Sequence, residues 1–243
     1  MLSIENLKFS YSSQSILNGT EFRVNEGELV GLVGPNSSGK TTILKLITNV
    51  LVPSTGSIKI HGEETLSFNA NKIAKLVSVV PQNPESPLGI TTKELVSLGR
   101  TPHLSLLQFH DSDPLGRVHN AMTLTDVLEL ADRPVSALSG GQKQRAFIAM
   151  AIAQDTPIML FDEPTSHLDL FHQIKVMELI RELTRTRNHA SLVTMHDLNL
   201  AAQYCDRLVL LMDGLVLADG PPKCVLVPEK IKKAYKINIV ISY

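Results

Sequence analysis

Nine consecutive residues, Gly34-Pro35-Asn36-Ser37-Ser38-Gly39-Lys40-Thr41-Thr42, carry the clearest chemistry in this sequence. Gly34, Gly39, Lys40 and Thr41 match G-x-x-x-x-G-K-[ST]. In that pattern successive backbone N–H groups turn inward as an anion nest, and the helix N-terminus behind them adds roughly half a positive charge. Lys40 is expected to reach the β- and γ-phosphates and the Thr41 hydroxyl to ligate Mg²⁺. The pattern has meaning only between a strand and a helix. Residues 28–33 supply a short apolar run, and Ile43, Leu44, Leu46, Ile47 and Val50 recur at helical spacing. With both flanks present, the stretch reads as a nucleotide-binding P-loop rather than a Gly/Ser turn before an ordinary helix. Ser37 is the odd member, because P-loops of this kind usually carry Gly there and often need φ > 0. A side chain in that region costs about 1–2 kcal/mol. Either Ser37 bears the strain or the loop is re-shaped.

A second concentration of chemistry is Asp162-Glu163, which follows Ile158-Met159-Leu160-Phe161. Four apolar residues read as a fully buried strand. Both carboxylates therefore emerge at a carboxyl end, where open α/β sheets bind ligands. Asp162 is expected to hold Mg²⁺ or its water, and Glu163 to orient and deprotonate an attacking water. His196 stands just beyond the apolar run 190–194. A solitary His is more often structural, but this position suits a contact with the γ-phosphate. Gln82 follows Val77-Ser78-Val79-Val80-Pro81. It is either an exposed loop residue or an amide that ligands Mg²⁺ through oxygen and senses the γ-phosphate. Ser139, Gly140, Gly141 and Gln142 open another helix. They form a flexible N-cap or, through the hydroxyl, consecutive N–H groups and helix N-terminus, a second anion site. Tyr11, in a Ser-rich turn ahead of the P-loop, either packs locally or stacks on an adenine ring.

These groups need a frame. Leu2, Ile4, Leu7 and Phe9 sit among polar neighbours and predict a strand over 2–9. A second strand is expected over 20–25, turned by Asn25-Glu26-Gly27 into the strand before the P-loop, and another over 57–60. Residues 1–30 and 57–60 thus read as a small strand-rich subdomain. Residues 71–76 are weakly helical and lead into the β-branched strand 77–80. From Asn83 to Thr156 strand-like alternation disappears. Thr91-Thr92 caps a helix through Leu98, Gly99-Arg100-Thr101-Pro102-His103 breaks it, and helical segments follow near 114–123, 125–131 and 142–154. Segment 83–156 is expected to be an inserted helical subdomain, with 1–82 and 157–243 forming the core of one domain. A helix to about 186, a hairpin around Asp213-Gly214, a helix over 228–236 and a last strand over 237–241 complete the expectation.

Composition sets the outer limits. The chain has 243 residues, 43% hydrophobic and 19% charged, enough for a substantial core. A net charge of −1 and a pI of about 6.7 leave no basic footprint for nucleic acid. Cys205 and Cys224 lack metal-ligand spacing and suggest a reducing compartment, and the eight histidines are scattered. No apolar run approaches the length of a membrane span, and Met1-Leu2-Ser3-Ile4-Glu5 is unlike a signal peptide, so a soluble cytosolic chain is expected.

The order of P-loop, Gln82, Leu138-Ser139-Gly140-Gly141-Gln142, Asp162-Glu163, Ser166-His167-Leu168-Asp169 and His196 resembles an ATP-binding-cassette ATPase over essentially the whole chain. The resemblance implies an α/β fold: a P-loop NTPase (RecA-like) core with a small antiparallel β subdomain and an inserted α-helical subdomain. It implies ATP and Mg²⁺, with Glu163, His196 and Gln82 in catalysis and Thr41, Gln82 and Asp162 around the metal. Tyr11, residues 34–42 and residues 139–142 would contact nucleotide. In such ATPases two copies pair head-to-tail, each ATP lying between one copy's P-loop and the other's Ser-Gly-Gly turn. The pair closes on the γ-phosphate and reopens after hydrolysis. Leu98-Gly99-Arg100-Thr101-Pro102-His103, Glu163-Pro164-Thr165-Ser166-His167-Leu168-Asp169 and His196-Asp197-Leu198-Asn199-Leu200-Ala201-Ala202 are similar to the subfamily that powers uptake of iron–siderophore, haem, cobalamin and, in some members, molybdate or tungstate. The implied partners are a second copy, integral membrane permease subunits and, indirectly, an extracytoplasmic substrate-binding protein, with this chain at the cytoplasmic face of the membrane. Residues 99–103 are expected on the surface that meets the membrane subunit, an internal cap being the alternative. Soluble cassette ATPases of DNA repair or translation usually carry long coiled-coil insertions or tandem cassettes, which this sequence lacks. A small P-loop kinase would lack the Ser139-Gly140-Gly141 turn and His196.

Overall fold

The computed structural model describes residues 1–84, 88–104, 116–166 and 168–237. The chain opens with a hairpin of β1 (Leu2–Tyr11) and β2 (Gln14–Val24), then enters β3 (Leu29–Val33) and, past the P-loop, α1 (Lys40–Ile47). β4 (Thr55–Ile60), β5 (Glu63–Glu64), α2 (Ala70–Leu76) and β6 (Val77–Val80) follow. Next come α3 (Thr92–Leu98), α4 (Arg117–Leu124) and α5 (Gly140–Gln154), with no strand between β6 and the following β7 (Ile158–Asp162) among the described residues. The rest is α6 (Leu170–Thr186), β8 (Ala190–Met195), α7 (Leu198–Tyr204), β9 (Arg207–Met212), β10 (Leu215–Gly220), α8 (Pro222–Val225) and α9 (Pro228–Tyr235).

Two sheets result. β2-β1-β4-β5 is antiparallel, and β10-β9-β3-β8-β7-β6 is parallel except for the β10–β9 hairpin. The continuous apolar runs of the central strands follow from burial on both faces. Leu29 and Val33 of β3, Met159 and Phe161 of β7, and Val193 and Met195 of β8 point into a core shared with α3–α7. Their neighbours Val30, Leu32, Ile158, Leu160, Ala190 and Leu192 point into a second core shared with α1 and the small sheet. The period-2 alternation of a strand thus feeds two cores at once. It also aims every parallel strand's carboxyl end at the same edge.

Several expectations move. β2 begins at Gln14 instead of residue 20, because pairing with β1 carries the polar stretch through register shifts that break its alternation. α1 ends at Ile47, and Val50 lies beyond it, 70% exposed after Asn49 in the left-handed region. α5 starts at Gly140, two residues early, because Ser139 caps it. Segment 125–131 holds only a short 3₁₀ turn, Leu128–Leu130. The expected strand over 237–241 lies outside the described residues apart from Ile237, which is not in a strand.

Within residues 99–103, Arg100 takes the alternative role of an internal cap. Arg100 is buried, and its Nη1 donates to Ala153 O at 2.7 Å and Gln154 O at 3.4 Å. His103 Nε2 bonds the same Gln154 carbonyl at 2.8 Å. The last carbonyls of α5 have no partner within their own helix, and a guanidinium fork supplies donors for two of them. Arg100 is an internal cap, not an outward-facing docking residue.

Candidate nucleotide site

The P-loop spans the gap between the end of β3 and the start of α1. Gly34 has φ +152° and Gly39 φ +104°, both in the region that favours glycine. A Cβ on Gly34 would lie 2.4 Å from Leu211 O, and one on Gly39 would lie 2.5 Å from Leu17 Cδ2. Ser37 takes φ +66°, so the first of its two alternatives holds: the side chain bears the left-handed conformation. Lys40 is buried, and its Nζ donates to Gly34 O at 2.8 Å and Pro35 O at 3.0 Å. Burial lowers its pKa, opposed by the carboxylates of Glu163 and Asp162. The ammonium therefore rests on the loop's own carbonyls, curled around the space an anion would fill.

The carboxylates meet that loop from β7. Asp162 pairs in register with Thr194 of the neighbouring β8. Thr194 Oγ1 donates to Asp162 Oδ1 at 2.7 Å, and Thr41 Oγ1 approaches the same oxygen at 3.2 Å. The Glu163 N–H donates to Thr194 Oγ1 at 2.9 Å, and Glu163 itself turns at φ +49°. That turn swings its side chain out of the strand direction. Gln82 Nε2 donates to Glu163 Oε2, and His196 Nε2 sits against Oε1. Gln82 and His196, beyond the ends of β6 and β8, thus converge on the one carboxylate at the end of β7. Gln82, expected also as a metal ligand, turns its amide nitrogen to Glu163, because a carboxylate with two open oxygens draws the available donors. The Thr41 hydroxyl and Asp162 carboxylate are hard oxygens close together, a donor set that suits Mg²⁺.

Lys40, Thr41, Thr42, Gly39, Asn36, Ser37, Glu163 and His196 line one cavity of about 350 Å³. Its remaining lining is Gln14 and Ile16, which sequence reading missed; alternate positions on one strand after Tyr11 were the available signal. Tyr11 is not among the lining residues. It ends β1 with its ring edge-on to Phe9 at 4.8 Å and 43% exposed. Thr194 was also missed, although a fully buried hydroxyl residue in an apolar strand is a recognisable sign.

Ser139 and Gln142 form a reciprocal capping box: Ser139 Oγ accepts from the Gln142 N–H at 3.3 Å, and Gln142 Oε1 accepts from the Ser139 N–H at 3.0 Å. They line a separate cavity of about 240 Å³ with Gly141, Arg145, Leu168, Asp169 and His172. This lining shares no residue with the P-loop cavity. One copy of the chain does not bring Ser139 into the P-loop cavity.

Comparison with known proteins adds the family. Residues 17–166 match the family described as ABC transporter. The chain is 38% identical over 237 residues to the achromobactin transport ATP-binding protein of Dickeya dadantii, covering 98% of this chain and 88% of that one. It superposes with a TM-score of 0.84 and 28% identity on a structure described as an inward-facing metal-chelate type ABC transporter, covering 98% of this chain and 89% of that one. A dimeric bacterial ABC transporter cassette gives a TM-score of 0.81 at 26% identity, covering 91% and 99%. No helix among the described residues is long and apolar enough to cross a membrane. A family match that takes in both the phosphate loop and the carboxylate pair, with relatives aligned along nearly the whole chain, leaves one assignment: the chain belongs to the ABC transporter family, as an ATP-binding subunit whose ATPase activity is coupled to transport.

Proposed function

We propose that this chain is the motor subunit of an importer for a metal chelate of the iron–siderophore, haem, cobalamin or molybdate/tungstate kind. It works as a head-to-tail pair of copies at the cytoplasmic face of the membrane, beneath separate permease subunits fed by an extracytoplasmic binding protein. The observation that carries the reading is the Glu163 carboxylate, held between Gln82 and His196 across one cavity from Lys40. The metal-chelate class is supported by the description of the superposed transporter and by the name of the curated relative. Pairing is supported by the dimeric cassette and by the separation of the two anion cavities.

In this reading ATP lays its phosphates on the P-loop N–H groups, and Lys40 exchanges the Gly34 and Pro35 carbonyls for phosphate oxygens. Tyr11, exposed at the tip of the hairpin that contributes Gln14 and Ile16, stacks on the adenine. Mg²⁺, when bound, would be held by the Thr41 hydroxyl and Asp162 carboxylate and would neutralise charge on the phosphates. Glu163 gives up its two present partners and takes a proton from the attacking water. His196 and Gln82, released from the carboxylate, face the γ-phosphate, and Gln82 carries the change toward the helices between β6 and β7. The Ser139 hydroxyl and the N-terminus of α5 close the site from the other copy. Hydrolysis removes the bridging γ-phosphate and the pair opens.

The test is Glu163→Gln. ATP binding is expected to persist while turnover falls by about 10²–10⁴-fold, and ATP should drive a stable dimer visible by light scattering. Near-normal turnover would move the general base elsewhere, to His196 first.

A further inference from the structure

β2 is interrupted where it passes the P-loop. In its pairing with β1, Phe9 faces Leu17 while Ser10 faces Ser15, and Leu7 faces Thr20 while Lys8 faces Asn18. Ile16 and Gly19 are the residues passed over, one bulge each, and a bulge re-aims its side chains. Ile16 lines the cavity of Lys40 and Thr41, together with Gln14 on the same strand. The turn between β9 and β10 holds this stretch from outside the small sheet. Gly214 O accepts the Thr20 hydroxyl at 2.8 Å and the Asn18 N–H at 2.9 Å, and Asp213 O accepts from Asn18 Nδ2 at 2.8 Å. Thr20 is fully buried. Gly214 takes φ +72°, and a Cβ there would lie 2.2 Å from Ile16 O, so the turn sits directly against the bulge. The same stretch presses on the P-loop: a Cβ on Gly39 would lie 2.5 Å from Leu17 Cδ2 and 3.4 Å from Ile16 Cγ2. β9 pairs with β3, the strand that delivers the loop.

From these contacts we propose that Thr20 and Asn18 are positioning residues for the nucleoside half of ATP: by tying β2 to the Asp213-Gly214 turn they set how far Gln14 and Ile16 stand from the P-loop. The inference rests on reading that cavity as the ATP site. With the loop residues on the phosphates and Glu163 and His196 at the reacting end, Gln14 and Ile16 are the wall left for ribose and base. The small sheet otherwise meets the large one through the apolar core shared with α1. Apolar packing is non-directional, whereas hydrogen bonds to a carbonyl have a preferred distance and direction. The three bonds to residues 213 and 214 therefore fix the registry of β2 over the loop.

Thr20→Val in the full chain keeps the shape and removes the hydroxyl. The Kd for Mg-ATP, read by titration, should rise about three- to tenfold, the equivalent of one ordinary hydrogen bond. The Kd for Mg-tripolyphosphate, which lacks ribose and base, should stay within about twofold of wild type, and Thr20→Ser should restore ATP affinity. An unchanged Kd for ATP overturns the proposal, as does an equal loss for both ligands or a loss that Thr20→Ser does not restore. Should Thr20→Val fail to fold, Asn18→Ala at the exposed end of the clamp carries the same comparison: a loss selective for ATP supports the proposal, and no such loss overturns it. Lys40→Ala separates the two layers. If that variant keeps its affinity for both ligands, the reading of the cavity fails and the proposal with it; if it loses both while Thr20→Val keeps ATP, the role of Thr20 alone fails.

Discussion

Thr194 is fully buried in the apolar run of β8, yet its hydroxyl ties the two carboxylate residues together. It donates to Asp162 Oδ1 and accepts the Glu163 N–H. Removing it leaves a buried carboxylate oxygen and a backbone N–H each short of a partner, a loss worth about 1–3 kcal/mol. Thr194→Val, equal in shape, should lower unfolding stability by that amount in a urea titration and slow turnover by releasing Glu163. A stability equal to wild type would mean that water takes over both bonds. Ser37 illustrates the opposite economy at this scale, since its φ of +66° is strain retained at the mouth of two cavities.

Helices in the stretch between β6 and β7 are held by their ends. α3 opens with a capping box, Thr91 with Glu94, and α5 with Ser139 and Gln142. The C-terminus of α5 is a junction. Arg100 and His103 bond its last carbonyls, and Gln154 Nε2 donates to Ala74 O and Val77 O, so the helix is stitched to the α2–β6 boundary. β6 ends two residues before Gln82, which makes this junction a mechanical link between the helices and the site. Arg100→Ala should therefore cost about 2–3 kcal/mol of stability, since it strips a charged donor from buried carbonyls. Calorimetry should show a lower melting temperature, while ATP affinity of the folded variant stays near wild type. A wild-type melting temperature together with lost membrane assembly would restore an outward role for this stretch.

At the scale of the molecule, the carboxyl edge of the parallel sheet carries the P-loop, Glu163 and His196, while Ser139 faces a different cavity. In the proposed head-to-tail pair, a single chain would display half of each of two composite sites. Mixing Ser139→Arg subunits with Lys40→Ala subunits should produce pairs with one doubly damaged site and one intact site. ATPase activity above that of either parent, at an optimum mixing ratio, is the expected outcome. Mixtures that never exceed the parents would count against head-to-tail pairing.

Much of this was legible in the residues. G-x-x-x-x-G-K-[ST] between a strand and a helix leaves little freedom, because local backbone geometry suffices to build the nest. The buried strands were readable because burial on both faces demands uninterrupted apolar residues. The convergence of Gln82, Glu163 and His196 was half legible: each could be set at a strand end, but which ends are neighbours depends on the order β3-β8-β7-β6, a matter of long-range pairing. Arg100 was misplaced because its partners, the carbonyls of Ala153 and Gln154, lie more than fifty residues away in the chain and carry no side-chain signature. Thr194 escaped for the same reason, since it acts on the Glu163 backbone N–H, which becomes its neighbour only in the fold. Sequence alone determined the chemistry available at each strand end, through motif and local periodicity. Tertiary structure decided which groups share a carboxylate, a cavity or a helix terminus, because sheet order and helix docking are settled by packing across the whole chain.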